Sequence, residues 1–279
     1  MPMYLFLLAV LFLSSCVAIP TQSERAAHTK KLASNHRWVA QEIKTDDFLL
    51  QTYVPEKLQS AKELTVYIEG DGLAWINTST PSFNPTPINA LALSLALRDD
   101  KPAVYLARPC QYVNFEQSAN CNQKYWTSHR FAPEVIHATN QAIEQLKLKF
   151  KAEKLILVGY SGGAAVATIV SALRNDVSYL ITIAGNLDHQ TWTQKHQISP
   201  LTSSLNPVSF SDKLQSIQQT HYVGGKDRIV PEAVARAYAA KFTNQVSNSV
   251  VVIPEFDHVC CWEKYWPTLK NSKIYHDEK

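Results

Sequence analysis

The 279-residue sequence has few glycines and little net charge, and each shortage excludes classes of protein. Its eight glycines are well below the usual share of about 7%, which excludes a collagen-like chain. With 27 basic and 24 acidic residues the net charge is only +3, and no long run of Lys or Arg indicates a nucleic-acid partner. Long apolar runs are missing beyond the first 20 residues, so a multi-span membrane protein is excluded. A composition that is 46% hydrophobic instead predicts a globular protein with a full core.

The start of the chain is different, because Tyr4–Leu13 are ten uninterrupted apolar residues. This run is too short to span a bilayer of about 30 Å and is typical of a signal peptide. The next residues, LSSC at 13–16, resemble the bacterial lipobox, which implies removal of residues 1–15 and lipidation of Cys16. In that family Val17 implies the outer membrane, so we expect a lipid-anchored envelope protein facing the periplasm or the exterior. The alternative is an uncleaved single anchor, which leaves the protein on the same side of the membrane.

Residues 16–37 are polar and are predicted to be the lipid anchor and a tether, with room for one helix. Strand-like and helix-like segments alternate through residues 38–279, which predicts one α/β domain with a mostly parallel sheet and helices on both faces. The polar stretch 186–207 is predicted to be a loop or a very small cap. Eight strands are predicted at Trp38–Lys44, Phe48–Val54, Leu64–Ile68, Ala103–Ala107, Lys154–Val158, Tyr179–Ile183, Thr220–Val223 and Ser249–Ile253. Helices are predicted at Pro87–Arg98, Pro133–Lys149, Gly163–Arg174, Pro231–Phe242 and Cys261–Lys270.

All eight glycines lie at or just after the carboxyl end of a predicted strand. Glycine permits tight turns and close approach of the backbone, and ligands of open α/β sheets bind at this edge. The alternative is that turns between strands and helices need glycine for their own geometry. We expect the functional site at the carboxyl edge of the sheet.

The segment GYSGG at 159–163 joins a predicted strand to a predicted helix and fits the G-x-S-x-G pattern. Flanking glycines leave room for a strained turn, which exposes the Ser161 hydroxyl above the sheet near a helix N-terminus. A serine hydroxyl at such a turn is a candidate nucleophile, provided that a base takes its proton.

His258 and Asp227 are the candidate base and acid. Each follows a predicted strand at the same edge of the sheet, and the chain order Ser161, Asp227, His258 is the order expected for this motif. Asp227 could instead be a helix N-cap, and Asp257 is a second candidate for the acid. The neighbouring residues 188 and 189, Asp and His, form a rival pair that breaks the expected order.

Two backbone N–H groups are needed to bind the oxyanion of an acyl-transfer reaction. Gly162, directly after the serine, is expected to supply one of them. The loop at 67–72 (YIEGDG) resembles the oxyanion loop of lipases and esterases, with Glu69 in place of histidine, and Asp71 or Gly72 is expected to supply the other. A dinucleotide fingerprint is excluded because Trp75 stands where its third glycine is required.

These ordered elements resemble the α/β-hydrolase superfamily over roughly residues 63–262. The resemblance implies a Ser-His-Asp triad that forms an acyl-enzyme on a small-molecule acyl substrate, with no metal or organic cofactor. We expect an exported serine hydrolase of carboxylic esters. A peptidase of the same fold, a lipase, and a non-catalytic lipoprotein that binds envelope components are the alternatives. The sequence indicates no oligomeric state.

Four cysteines remain besides Cys16, and an oxidising compartment favours two disulfides. We favour Cys110 with Cys121 and Cys260 with Cys261, while cross-pairing between these loops and free thiols stay open. The cysteine spacings are not those of a zinc-binding site. Aromatic side chains in the loops at the same edge are candidates for a substrate pocket: Trp75, Tyr112, Tyr125, Trp126, Trp192 and Trp262.

Overall fold

An eight-stranded sheet forms the centre of the fold in the computed structural model, which describes residues 19–243 and 248–274. The strand order is β1-β2-β4-β3-β5-β6-β7-β8, and only β2 runs against the others. This confirms the predicted α/β fold class. The strands are β1 (Trp38–Lys44), β2 (Leu49–Pro55), β3 (Glu63–Ile68), β4 (Ala103–Leu106), β5 (Lys154–Tyr160), β6 (Val177–Ile183), β7 (Gln218–Gly224) and β8 (Asn248–Ile253).

Helices cover both faces of this sheet. They are α1 (Gln22–Asn35), α2 (Leu91–Ala96), α3 (Pro133–Phe150), α4 (Gly162–Ala172), α5 (His189–His196), α6 (Glu232–Ala239) and α7 (Trp262–Ile274). Two 3₁₀ helices, Gln123–Trp126 and Pro207–Leu214, lie in the connections. The predicted helix at Pro87–Arg98 begins only at Leu91, and α5 lies within the stretch that was predicted as a loop or small cap.

The two-residue period of the strands divides the core into two layers. In β5, Leu155 and Leu157 pack with α3 and α4, whereas Ile156 and Val158 pack on the opposite face with α2 and α7. Because successive side chains of a strand point to opposite faces, a continuous apolar run is what a strand covered on both sides requires.

Residues 22–35, within the segment predicted as a tether with room for one helix, form the packed helix α1. Ala33 and Thr29 of α1 are buried, and the Thr29 hydroxyl contacts the Tyr112 hydroxyl at 3.4 Å. Thr21 caps the helix, with Glu24 completing a capping box. The helix was missed as part of the domain because its buried face is largely polar and carries no apolar period. The predicted signal peptide and Cys16 lie outside the described residues.

The four cysteines of the described chain form the favoured pairs, Cys110–Cys121 and Cys260–Cys261. In residues 19–243 and 248–274, no helix is long and apolar enough to cross a membrane.

Candidate active site

Ser161 lies at the turn between β5 and α4, at the carboxyl edge of the sheet. Its backbone is in a left-handed region, with φ of 51°, which a serine rarely adopts and which is typical of strained functional turns. The Ser161 N–H donates to the Ile183 carbonyl at 2.9 Å, so the turn is pinned to β6. A methyl group on Gly159 would collide with Ala164, and one on Gly163 with the backbone of Glu69. The glycines therefore permit the close packing that exposes the serine hydroxyl.

The three predicted side chains meet at this edge. His258 Nε2 lies 3.0 Å from Ser161 Oγ, and His258 Nδ1 lies 2.8 Å from Asp227 Oδ2. The other oxygen of Asp227 accepts hydrogen bonds from the N–H groups of Ile229 and Val230, both at 2.8 Å. With the Asp227 side chain fully buried, these bonds fix the carboxylate, which in turn orients the imidazole. Nδ1–H then donates to Asp227, and Nε2 is free to accept the serine proton.

The main chain at His258 is supported by two aromatic side chains. The Tyr160 hydroxyl donates to the His258 carbonyl at 3.3 Å, and Trp262 Nε1 donates to the same carbonyl at 3.1 Å. The Tyr160 ring also packs against the imidazole, with 5.3 Å between centroids. The segment that carries the imidazole is therefore attached both to the serine turn and to α7.

The residues predicted to supply the oxyanion donors, Gly162, Asp71 and Gly72, line the same cavity as Ser161. Gly162 is the first residue of α4, and the first N–H groups of a helix have no partner within it. In the 67–72 loop the N–H of Gly70 donates to Glu69, and directly after the loop the N–H of Leu73 donates to Pro85. In the described part of the chain no group accepts from the N–H of Asp71 or Gly72, so these remain the loop's available donors.

Gly72 is required by the shape of this loop. Its φ is +65°, and a methyl group there would collide with the Pro85 carbonyl. Gln111 Nε2 also stabilises the loop, because it donates to the Gly70 carbonyl at 2.9 Å.

A cavity of about 970 Å³ opens over Ser161 and His258. Trp75 and Trp192 line it, as predicted for a substrate pocket, and Leu32 of α1 contributes from the N-terminal segment. The other aromatic candidates do not line the cavity and instead pack in or against the hydrophobic core. These are Tyr112, Tyr125, Trp126 and Trp262. Over residues 19–243 and 248–274, no group of three or more His, Cys, Asp or Glu side chains is arranged to hold a metal ion.

Neither a protein-family model nor a curated protein sequence matches the chain. Solved structures do match. Est1E from Butyrivibrio proteoclasticus is 12% identical with a TM-score of 0.59, over 86% of this chain and 99% of that one. The Pyrococcus furiosus esterase Pf2001 is 12% identical with a TM-score of 0.60, over 93% of each chain. XC6422 from Xanthomonas campestris, described as an α/β serine hydrolase without a lid, is 15% identical with a TM-score of 0.52, over 85% and 91%.

The chain has the α/β-hydrolase fold.

Within this α/β-hydrolase fold, the rival acids and bases are engaged elsewhere. The Asp257 carboxylate accepts from the N–H groups of Val259 and Cys260, at 2.8 and 2.7 Å, and these bonds lower its pKa. Asp188 caps α5. His189 stacks on Phe131, and burial lowers the pKa of His189 to about 3, so its ring is neutral near neutral pH.

Asp71 has a second feature that the sequence did not reveal. Its carboxylate packs on Gly162, where a methyl group would collide with it, and accepts from Arg108 at 3.2 Å and Arg130 at 2.8 Å. Burial by itself would raise the pKa of Asp71, but the two guanidinium charges outweigh burial and lower it. Arg130 lines the cavity, and its guanidinium lies 5.8 Å from the centre of the Trp192 ring. The ion cluster thus fixes the 67–72 loop against the start of α4.

Glu69 is a buried carboxyl in the same loop. One of its oxygens accepts from the Gly70 N–H at 2.9 Å, and burial raises the pKa of Glu69 to about 7. Its burial and its bond to the loop backbone make it a support for the loop.

Proposed function

We propose that this chain is a serine hydrolase that cleaves carboxylic esters through an acyl-enzyme. The supporting observation is the chain of two contacts, 3.0 Å from Ser161 to His258 and 2.8 Å from His258 to Asp227. These are the distances at which a base can take the serine proton and an acid can orient that base.

The geometry suggests the following steps. His258 Nε2 accepts the proton of Ser161 Oγ as that oxygen attacks the ester carbonyl carbon, and the imidazolium is stabilised by Asp227. The N–H groups of Gly162 and of Asp71 or Gly72 bind the oxyanion. His258 then protonates the leaving alkoxide, which departs as the alcohol. Water, deprotonated by the same imidazole, releases the acid from Ser161.

The proposed substrate class is a carboxylic ester of a small or medium acyl group. It is supported by the apolar and aromatic lining of the cavity over Ser161, which includes Trp75 and Trp192. Esterases among the similar structures add weight to this choice, although the likeness is one of fold.

The proposal is tested by measuring hydrolysis rates on a series of p-nitrophenyl esters of increasing acyl length and comparing them with rates on aminoacyl arylamides. We expect ester hydrolysis that falls by several orders of magnitude in Ser161→Ala. Arylamide cleavage that exceeds ester cleavage would make the protein a peptidase. A folded protein that cleaves neither class would favour the non-catalytic alternative.

We also propose that the protein is exported and anchored at Cys16. The support is the apolar run Tyr4–Leu13 and the LSSC segment that follows it. Mass spectrometry of the N-terminal peptide from bacterial membranes tests this: a diacylglyceryl adduct on Cys16 supports it, and an unmodified Cys16 within a chain that begins at Met1 contradicts it.

A further inference from the structure

Large apolar side chains are exposed around the loop that leads from the oxyanion turn to α2. Phe83 is 87% exposed, and four others are at least partly exposed. We call this set the rim surface; it consists of Ile19, Trp75, Ile76, Phe83 and Ile88. Clusters of exposed apolar residues of this kind mark contact sites with partners or membranes.

The rim surface adjoins the cavity over Ser161, because Trp75 and Ile88 line that cavity. Ile76 is held in the same loop, since its N–H donates to the Thr80 carbonyl at 2.8 Å and Trp75 pairs with Pro81. Two of the five rim side chains therefore lie at the cavity itself, and Ile76 directly follows one of them in the chain.

The N-terminal end of the described chain lies at this surface. One guanidinium, that of Arg25 in α1, donates to the Pro20 carbonyl at 2.6 Å and to the Asn84 carbonyl at 3.1 Å. Pro20 follows Ile19, and Asn84 follows Phe83, so a single buried arginine joins the backbone at the start of the described chain to the backbone next to Phe83.

The sequence that precedes Ile19 indicates which partner the rim surface contacts. Cys16 is only three residues away, a span of at most about 11 Å, and the apolar run Tyr4–Leu13 comes before it. A lipid on Cys16 would enter the bilayer within that distance of Ile19, and an uncleaved apolar anchor that ends at Leu13 would do so within six residues, a span of at most about 22 Å. We propose that the rim surface docks on a lipid bilayer.

The residue types suit this partner. Tryptophan and phenylalanine are favoured at the boundary between headgroups and acyl chains, where an apolar face gains from leaving water. A second copy of the chain is the competing occupant, but it would have to pack where the anchor leaves the domain.

Docking in this orientation turns the cavity mouth toward the bilayer. An ester dissolved in the membrane could then reach Ser161 without crossing water. This consequence rests on the proposed ester hydrolysis, whereas the docking itself does not require catalysis.

The test uses the full chain with a single added cysteine at Phe83→Cys or Ile76→Cys, labelled with the environment-sensitive fluorophore NBD. Leu148→Cys is the matched control, because Leu148 is 67% exposed near the end of α3, which leads into the start of β5 at the amino edge of the sheet, whereas the loop that carries Ile76 and Phe83 follows the carboxyl end of β3. The labelled wild-type chain gives the background from its own cysteines. The proteins are reconstituted into vesicles of phosphatidylethanolamine and phosphatidylglycerol, with and without a lipid that carries a nitroxide quencher in its acyl chain.

We expect the probes at positions 83 and 76 to shift to the blue in vesicles and to be quenched by the nitroxide lipid, while the probe at 148 stays water-like. If the probes at positions 83 and 76 showed the same emission maximum and the same quenching as the probe at 148, the proposal would be overturned. A blue shift that arises without vesicles and grows with protein concentration would also overturn it, in favour of a second copy. Because the readout is fluorescence, a protein without esterase activity can still pass this test.

Discussion

Replacing Asp227 by asparagine removes one charge and reverses one hydrogen bond. In Asp227→Asn, the amide oxygen would keep accepting from the N–H groups of Ile229 and Val230, which lie 2.8 Å from the present carboxylate oxygen. A flipped amide would face those two donors with its own NH₂ group, so the flip is disfavoured. The NH₂ group must then face His258 Nδ1, which becomes an acceptor and moves the ring proton to Nε2.

With its proton on Nε2, His258 cannot accept the proton of Ser161. We expect Asp227→Asn to lower kcat on p-nitrophenyl acetate by about 10⁴-fold, or about 5 kcal/mol of transition-state stabilisation, as in other serine triads. Circular dichroism is expected to show an unchanged fold, because the amide fills the same space.

Asp257→Asn is the matched control. It alters the neighbouring carboxylate, which bonds to the backbone of Val259 and Cys260, and we expect kcat to stay within a few-fold of the wild type. If Asp227→Asn kept a tenth or more of the wild-type kcat, or if Asp257→Asn were the more damaging change, the assignment of Asp227 would be refuted.

Three further predictions concern stability. Burial raises the pKa of Glu69 to about 7, so the folded protein keeps a proton there that the unfolded chain releases from about pH 4.5, and the wild type therefore loses stability as the pH rises toward 7. Glu69→Gln has no such proton to lose, so in urea titrations its free energy of unfolding should gain up to about 3 kcal/mol on that of the wild type between about pH 4 and about pH 8. A difference between the two proteins that stays constant with pH would contradict this. Removing the Cys110–Cys121 disulfide by a double alanine variant should cost about 3 kcal/mol, and an unchanged urea midpoint would contradict the loop-closure account. Asp99→Ala leaves the buried ammonium of Lys270 without its ionic partner and should cost about 3–5 kcal/mol, most of which the added Lys270→Met should restore; an Asp99→Ala variant as stable as the wild type would show that the pair contributes nothing.

The candidate triad was predictable because each member is marked by its local sequence. Ser161 lies within a glycine-rich pentapeptide, Asp227 follows two glycines at the end of β7, and His258 follows the apolar strand β8. Parallel strands end at one edge of a sheet, so residues far apart in sequence come together there. The structure brings these residues and His258 within hydrogen-bonding distance, while their catalytic roles stay predictions.

No local sequence pattern marks the ion cluster that Asp71 forms with two arginines. Arg108 and Arg130 come from two different loops, and a buried arginine has the same letter in a sequence as an exposed one. Only the tertiary packing decides that both guanidinium groups meet one carboxylate next to Gly162.

Helix α1 shows the limit of apolar periodicity. Its buried residues include Arg25 and Thr29, whose side chains bond to the nearby backbone and also to distant residues of the domain, at Asn84 and Tyr112. The Thr21–Glu24 capping box marks the start of a helix, but no apolar period in the sequence shows that this helix packs on the domain.

The proposal of a serine nucleophile is tested most directly by mapping the site of a fluorophosphonate adduct. The folded wild-type chain would be treated with the reagent, digested and analysed by mass spectrometry, with Ser161→Ala treated in parallel. We expect one adduct on the peptide that contains Ser161 and none in the variant. An adduct on another residue that persists in Ser161→Ala, or a folded wild type that never reacts, would contradict the proposed role of Ser161.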